Sequence, residues 1–98
     1  MRELLERAAK NAGYKTFYWG DGTLMIMSEP YDATFNPADD DADAFRLMVD
    51  CELNATQLNH CAIVIGPAGT VQEFYVDHNN DKLAATRMAI LRAAAGEA

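Results

Sequence analysis

The chain has no run of about 18 apolar residues, so nothing in it reads as a membrane-spanning helix. It has two cysteines, Cys51 and Cys61, too few for a disulfide-built scaffold, and both are expected as reduced thiols in a cytoplasmic protein. It has no CxxC pair, no HExxH helix and no glycine-lysine phosphate loop, which removes the commonest spacings for zinc and nucleoside-triphosphate chemistry. Its opening stretch, MRELLERAAKNAG, is charged and amphipathic, with no apolar leader centre, and the expectation is a protein that stays in the cytoplasm where it is made. Bases are also scarce: Lys and Arg number 8 against 15 Asp and Glu, a net charge of −7. Direct binding to nucleic acid needs the opposite balance.

The excess acid is concentrated. Residues 29–52 carry Glu29, Asp32, Asp39, Asp40, Asp41, Asp43, Asp50 and Glu52 against one base, Arg46, while acids and bases cancel in the rest of the chain. A patch of this kind favours a basic protein partner and speeds encounter with it.

With 98 residues, half of them hydrophobic, the chain is expected to fold as one domain, 1–98. Leu4, Leu5, Ala8, Ala9 and Ala12 have helical spacing, and Gly13 stands where a helix ends in the left-handed region. YKTFYW and TLMIMS on either side of Gly20-Asp21-Gly22 predict a hairpin, and SEPYDATF a loop. Asn36 as N-cap and Pro37 in the first turn predict a helix over 37–53, with Asp39 reaching back to the cap and Phe45, Met48, Val49 and Leu53 on its buried face, beside Leu47 and Cys51. A polar link, NATQLN, leads to HCAIVIG, the turn GPAG and the returning strand TVQEFYVD. Asn80 or Asp81 then caps a helix over 82–95 that buries Leu83, Ile90, Leu91 and Ala94. CAIVI does not alternate, and strands apolar on both faces need cover on both. The expected fold is therefore an α+β, three-layer α/β/α sandwich in the order α-ββ-α-ββ-α, with about four mainly antiparallel strands and helices on both faces.

Two stretches, FNPADDDADAFRLMVDCEL and ATRMAILRAAAGEA, carry a resemblance over about a third of the chain. In Phe35-Asn36-Pro37, the acids Asp39 to Asp41, Asp43-Ala44 and Arg46-Leu47, and again in Arg87, Ile90, Leu91 and Arg92 to Ala95, the sequence resembles the phage ABA sandwich domain, a family of small phage and prophage proteins. Phe35 stands where that family usually has Trp. The resemblance implies a helix-sheet-helix sandwich and residence in a bacterial host. It brings no catalytic motif and no cofactor.

The residues themselves offer weak chemistry. Asp39, Asp41 and Asp43 have the first spacings of a calcium loop, but Ala44 replaces the turn glycine and Asp50 the closing Glu, so the run reads first as a helix start favoured by the helix dipole. Cys61 and His78 flank one hairpin as a conceivable nucleophile and base, without a third group to orient them. No catalytic, metal or cofactor residue is therefore expected. The candidate partner-binding set is Tyr31, Asp32, Asp39, Asp40, Asp43 and Asp50, an aromatic-acidic face. The expectation is a non-enzymatic phage protein that binds a basic surface of a host protein, an anti-defence inhibitor of the anti-CRISPR kind. The rival expectations are a phage assembly or regulatory adaptor acting as a homodimer or larger homo-oligomer, and a small hydrolase or metal protein.

Overall fold

A computed structural model describes residues 1–28 and 31–97. Over the described residues the chain is a mixed α+β protein with three α-helices and two three-stranded antiparallel sheets. Helix α1 spans Arg2–Asn11, and Gly13, at φ +81°, ends it as expected. Strands β1 (Thr16–Tyr18), β2 (Leu24–Ile26) and β3 (Ala33–Thr34) make the first sheet, in that order. Helix α2 covers Asp41–Asp50. Strands β4 (Asn54–Gln57), β5 (Cys61–Gly66) and β6 (Gly69–Phe74) make the second sheet, and α3 covers Lys82–Ala94.

Two of these strands differ from expectation. β3 lies in the segment read as a loop, whose Glu29 and Pro30 fall outside the described residues, and β4 in the segment read as a polar link. Both are edge strands. β4 exposes Asn54, Thr56 and Gln57, so its pairing with β5 rests on backbone hydrogen bonds and leaves no apolar pattern to read. The strand expected over TVQEFYVD stops at Phe74, because Tyr75–His78 tighten into one turn of 3-10 helix. Tyr75 is buried there and its hydroxyl donates to the Leu58 carbonyl at 2.8 Å.

The layers also differ from a four-stranded sheet covered by helices on both faces. Helix α3 is the centre. It packs against β5 and β6 on one side and against α1 and α2 on the other. Ala85, Thr86, Ala89, Ile90, Leu91, Ala93 and Ala94 bury nearly its whole circumference, as expected for a helix with cover all round. Ala62, Val64 and Val71 meet it from one face of the second sheet. The opposite face leaves Ile65 and Phe74 exposed. The first sheet joins the same core through Leu24 and through Phe35, which packs edge-on against Tyr14 at 5.8 Å. Ile90, Leu91 and Ala94 are buried as the spacing predicted, but Leu83 is not.

Helix α2 starts later than predicted and is rotated. Residues 36–39 form their own turn: the Asp39 and Asp40 amides donate to the Asn36 carbonyl at 3.2 and 2.9 Å. Asp40, with extended backbone, is the N-cap in place of Asn36. The buried stripe is Ala44 and Leu47, with Met48 and Cys51 beside them, whereas Phe45 and Val49 face outward. The stripe lies one residue, roughly 100°, round from the predicted one. Because α2 packs on a helix, the small Ala44 is what permits close approach to α3.

Candidate protein-binding face

The aspartates at the start of α2 fall into distinct roles. Asp40 Oδ1 accepts from the Asp43 amide at 3.0 Å, and Asp43 Oδ2 accepts from the Asn36 amide at 2.9 Å. This is a capping box shifted one turn from the expected one, with its returning carboxylate on the preceding turn. Asp41 Oδ1 takes the Arg87 guanidinium at 2.7 Å, and Arg87 Nε donates to the Ala38 carbonyl at 2.8 Å. Arg87 thus clips the acidic turn to the centre of the molecule. The Asp39 carboxylate has no hydrogen-bond partner among the described residues, and Asp39 is exposed. Asp40 is exposed despite its bond, and Asp43 partly so.

Asp40→Ala is expected to cost about 1 kcal/mol, because the cap is lost, while Asp40→Asn stays near wild type because Asn caps as well. Thermal denaturation of the two variants checks this.

The other predicted residues are spread out. Tyr31 is 82% exposed, the most exposed large apolar side chain among the described residues. Asp32 Oδ1 accepts from the Ser28 amide at 3.3 Å, and the Ser28 hydroxyl donates to the Tyr31 carbonyl, so Ser28 holds the pair through two hydrogen bonds. Asp50 lies at the far end of α2, roughly 15 Å from the cap by helix rise, and accepts from the Tyr14 hydroxyl. Burial, and then Asp50, push the Tyr14 phenol well above its usual range. Asp50 therefore anchors α2 to Tyr14 and does not join the cluster at Asp39, Asp40 and Asp43.

The conceivable Cys61–His78 pair is not assembled. His78 Nε2 sits 2.7 Å from Glu73 Oε1, and Cys61 Sγ accepts from Gln72 Nε2 at 3.3 Å. Glu73 also holds Arg92, which reaches Glu97 at 3.1 Å, so His78 belongs to a partly buried ion-pair network tying β6 to α3. Burial, with Asp50 second, pushes the Cys51 thiol up, away from the thiolate that a nucleophile needs. Among the described residues no three His, Cys, Asp or Glu side chains are placed to hold a metal ion. No described helix is long and apolar enough to cross a membrane.

Two features beside the acidic turn were not anticipated. One is Arg87, which is 46 residues from Asp41 in sequence. The other is an open cleft of about 410 Å³ between α2, β4 and α3, with Phe45 and Leu83 at its mouth. Its signal was present in α2, which carries apolar residues on two stripes where one suffices for the core. Compared with family models, with characterised proteins and with solved structures, the chain finds no match.

Proposed function

We propose that this chain is a non-catalytic binding protein of a phage or prophage that acts in the bacterial cytoplasm, holding a basic surface of a host protein with the acidic turn and first residues of α2. Covering a groove built for nucleic acid would make it an anti-defence inhibitor of the anti-CRISPR kind. The observation that carries the reading is the placement of charge: all of the net −7 belongs to residues 29–52, and Asp39 and Asp40 of that segment face solvent. The mechanism is electrostatic and steric, with carboxylates occupying positions meant for phosphates. Membership of the phage ABA sandwich family is part of the proposal. It is supported by the contact between the two resembling stretches, which meet where Arg87 holds Ala38 and Asp41.

The test is capture from a host lysate by wild type and by Asp39→Asn/Asp40→Asn/Asp43→Asn. Asn retains a carbonyl acceptor at the two capping positions, so the variant loses charge and keeps the helix start. A nucleic-acid-binding protein captured by wild type alone is the expected result. Equal capture by both moves the interface off the acidic turn.

A second reading, a homo-oligomeric phage adaptor, is favoured by the exposed Ile65 and Phe74 on the open face of the second sheet. It requires a dimer that resists salt when sized at several concentrations.

A further inference from the structure

The cleft between α2, β4 and α3 has the most apolar lining of the hollows on the described surface. Met48, Ala55 and Ile90 line its floor, while Phe45 and Leu83, each 62% exposed, stand at its mouth from opposite helices. Val49, also exposed, continues the Phe45 stripe one turn along α2. Helix α2 therefore has two apolar stripes. Ala44, Leu47 and Cys51 serve the chain's own core. Phe45 and Val49 serve nothing within the described chain.

The chemistry of the walls decides between occupants. The Asp41 carboxylate lines one end of the cleft and is largely exposed beyond its bond to Arg87. Among the described residues Arg87 is the one base lining the cleft, and its guanidinium is already engaged by Asp41 and Ala38. Asp39 and Asp40 lie directly ahead of the same helix, and Asp43 and Asp50 lie on it against the single base Arg46. A second copy docking its own α2 here would bring two acidic helices together, and like charges at close range oppose that pairing. A helix with basic flanks and a leucine-like anchor meets the opposite charge and fills the hollow.

We propose that this cleft receives an apolar anchor from a basic amphipathic helix of the partner protein, with the acidic turn of α2 pairing the basic flank. The inference rests on the acidic-face reading and names the chemistry of the partner element. The volume, about 410 Å³, falls within the roughly 300–1,000 Å³ range of ordinary binding hollows.

The probe is a synthetic helical peptide of leucine and lysine with leucines on one stripe, titrated into the isotope-labelled full chain and followed by amide chemical shifts. A peptide with glutamate in place of every lysine is the control. The expected result is saturable shifts centred on Phe45, Ala55 and Leu83. Leu83→Ser should weaken binding about tenfold or more, as loss of one buried leucine contact requires, and the glutamate peptide should not bind. Leu83 is exposed, so this variant folds as wild type does, and Phe45→Ser provides the same test from the other wall. No binding of the lysine peptide, equal binding of the glutamate peptide, or shifts centred on the sheet faces overturns the proposal. Unchanged affinity in both cleft variants, with weakening by Asp39→Asn and by salt, overturns the cleft and leaves the acidic face standing. Weakening by the cleft variants with no effect of salt or of Asp39→Asn overturns the basic occupant and the acidic face together. A dimer of the chain alone that Leu83→Ser dissociates assigns the cleft to a second copy and also overturns the proposal.

Discussion

Leu91→Ala is expected to lower the stability of the chain by about 2–5 kcal/mol. Leu91 is fully buried on α3, the helix that the second sheet, α1 and α2 all pack against. Truncation removes apolar contacts and leaves a hollow that cannot collapse, because neighbours on both sides are held by other elements. For a chain of this length a loss of 1 kcal/mol lowers Tm by about 4–8 °C, so a drop of roughly 10 °C or more is the expected reading. Chemical denaturation, with the slope unchanged, measures the free energy directly. The companion change Leu83→Ala, in the exposed first turn of the same helix, should stay within about 0.5 kcal/mol. Equal effects of the two would contradict a central α3.

Ala89→Leu is expected to cost about 1–3 kcal/mol or more, from the opposite direction. Ala85 and Ala89 are fully buried one turn apart on α3, and Ala93 continues the row. Small side chains there let the helix lie close to its neighbours. A leucine at 89 must displace a packed element or take a strained rotamer, since a full interior has no spare volume. If α3 instead lay on the outside of the molecule, leucine would be tolerated, because it forms helix nearly as well as alanine. A stability equal to wild type would therefore contradict the architecture.

Parts of this architecture were legible because local chemistry dictates them. Gly13 ends α1, the Pro67-Ala68 pair turns β5 into β6 between Gly66 and Gly69, and Asp81 caps α3 by accepting from the Ala84 amide at 3.0 Å. Each depends on neighbours in sequence. What the sequence hid depends on tertiary partners. β3 and β4 are short edge strands whose neighbours supply backbone bonds, so no apolar alternation marks them. The non-alternating run in β5 suggested helices on both sides. Ala62 and Val64 instead face α3, and Ile63 and Ile65 share the open face with Phe74. The rotation of α2 follows from packing on a helix of small residues, which selects Ala44 and Leu47 over the bulkier Phe45 and Val49.

The candidate face was legible in the same partial way. Exposure of Tyr31, Asp39 and Asp40 follows from their polar surroundings. The capping duties of Asp40 and Asp43 were displaced one turn because the Asn36–Asp39 turn closes on itself before the helix begins. The separation of Asp50 from the cluster reflects the length of α2, and its hold on Tyr14 joins positions 36 residues apart. Arg87 acts across a similar separation and left no local trace.

The most direct test of the acidic-face account is the salt dependence of affinity for the captured host protein. It is measured with wild type and with Asp39→Asn/Asp40→Asn/Asp43→Asn, from low to high ionic strength. Exposed charge pairs are screened over a Debye length of about 10 Å at 0.1 M salt and about 3 Å at 1 M. The account predicts that wild-type affinity falls steeply across that range, by about tenfold or more, while the variant starts weaker and changes little. Equal affinities that do not respond to salt would contradict it.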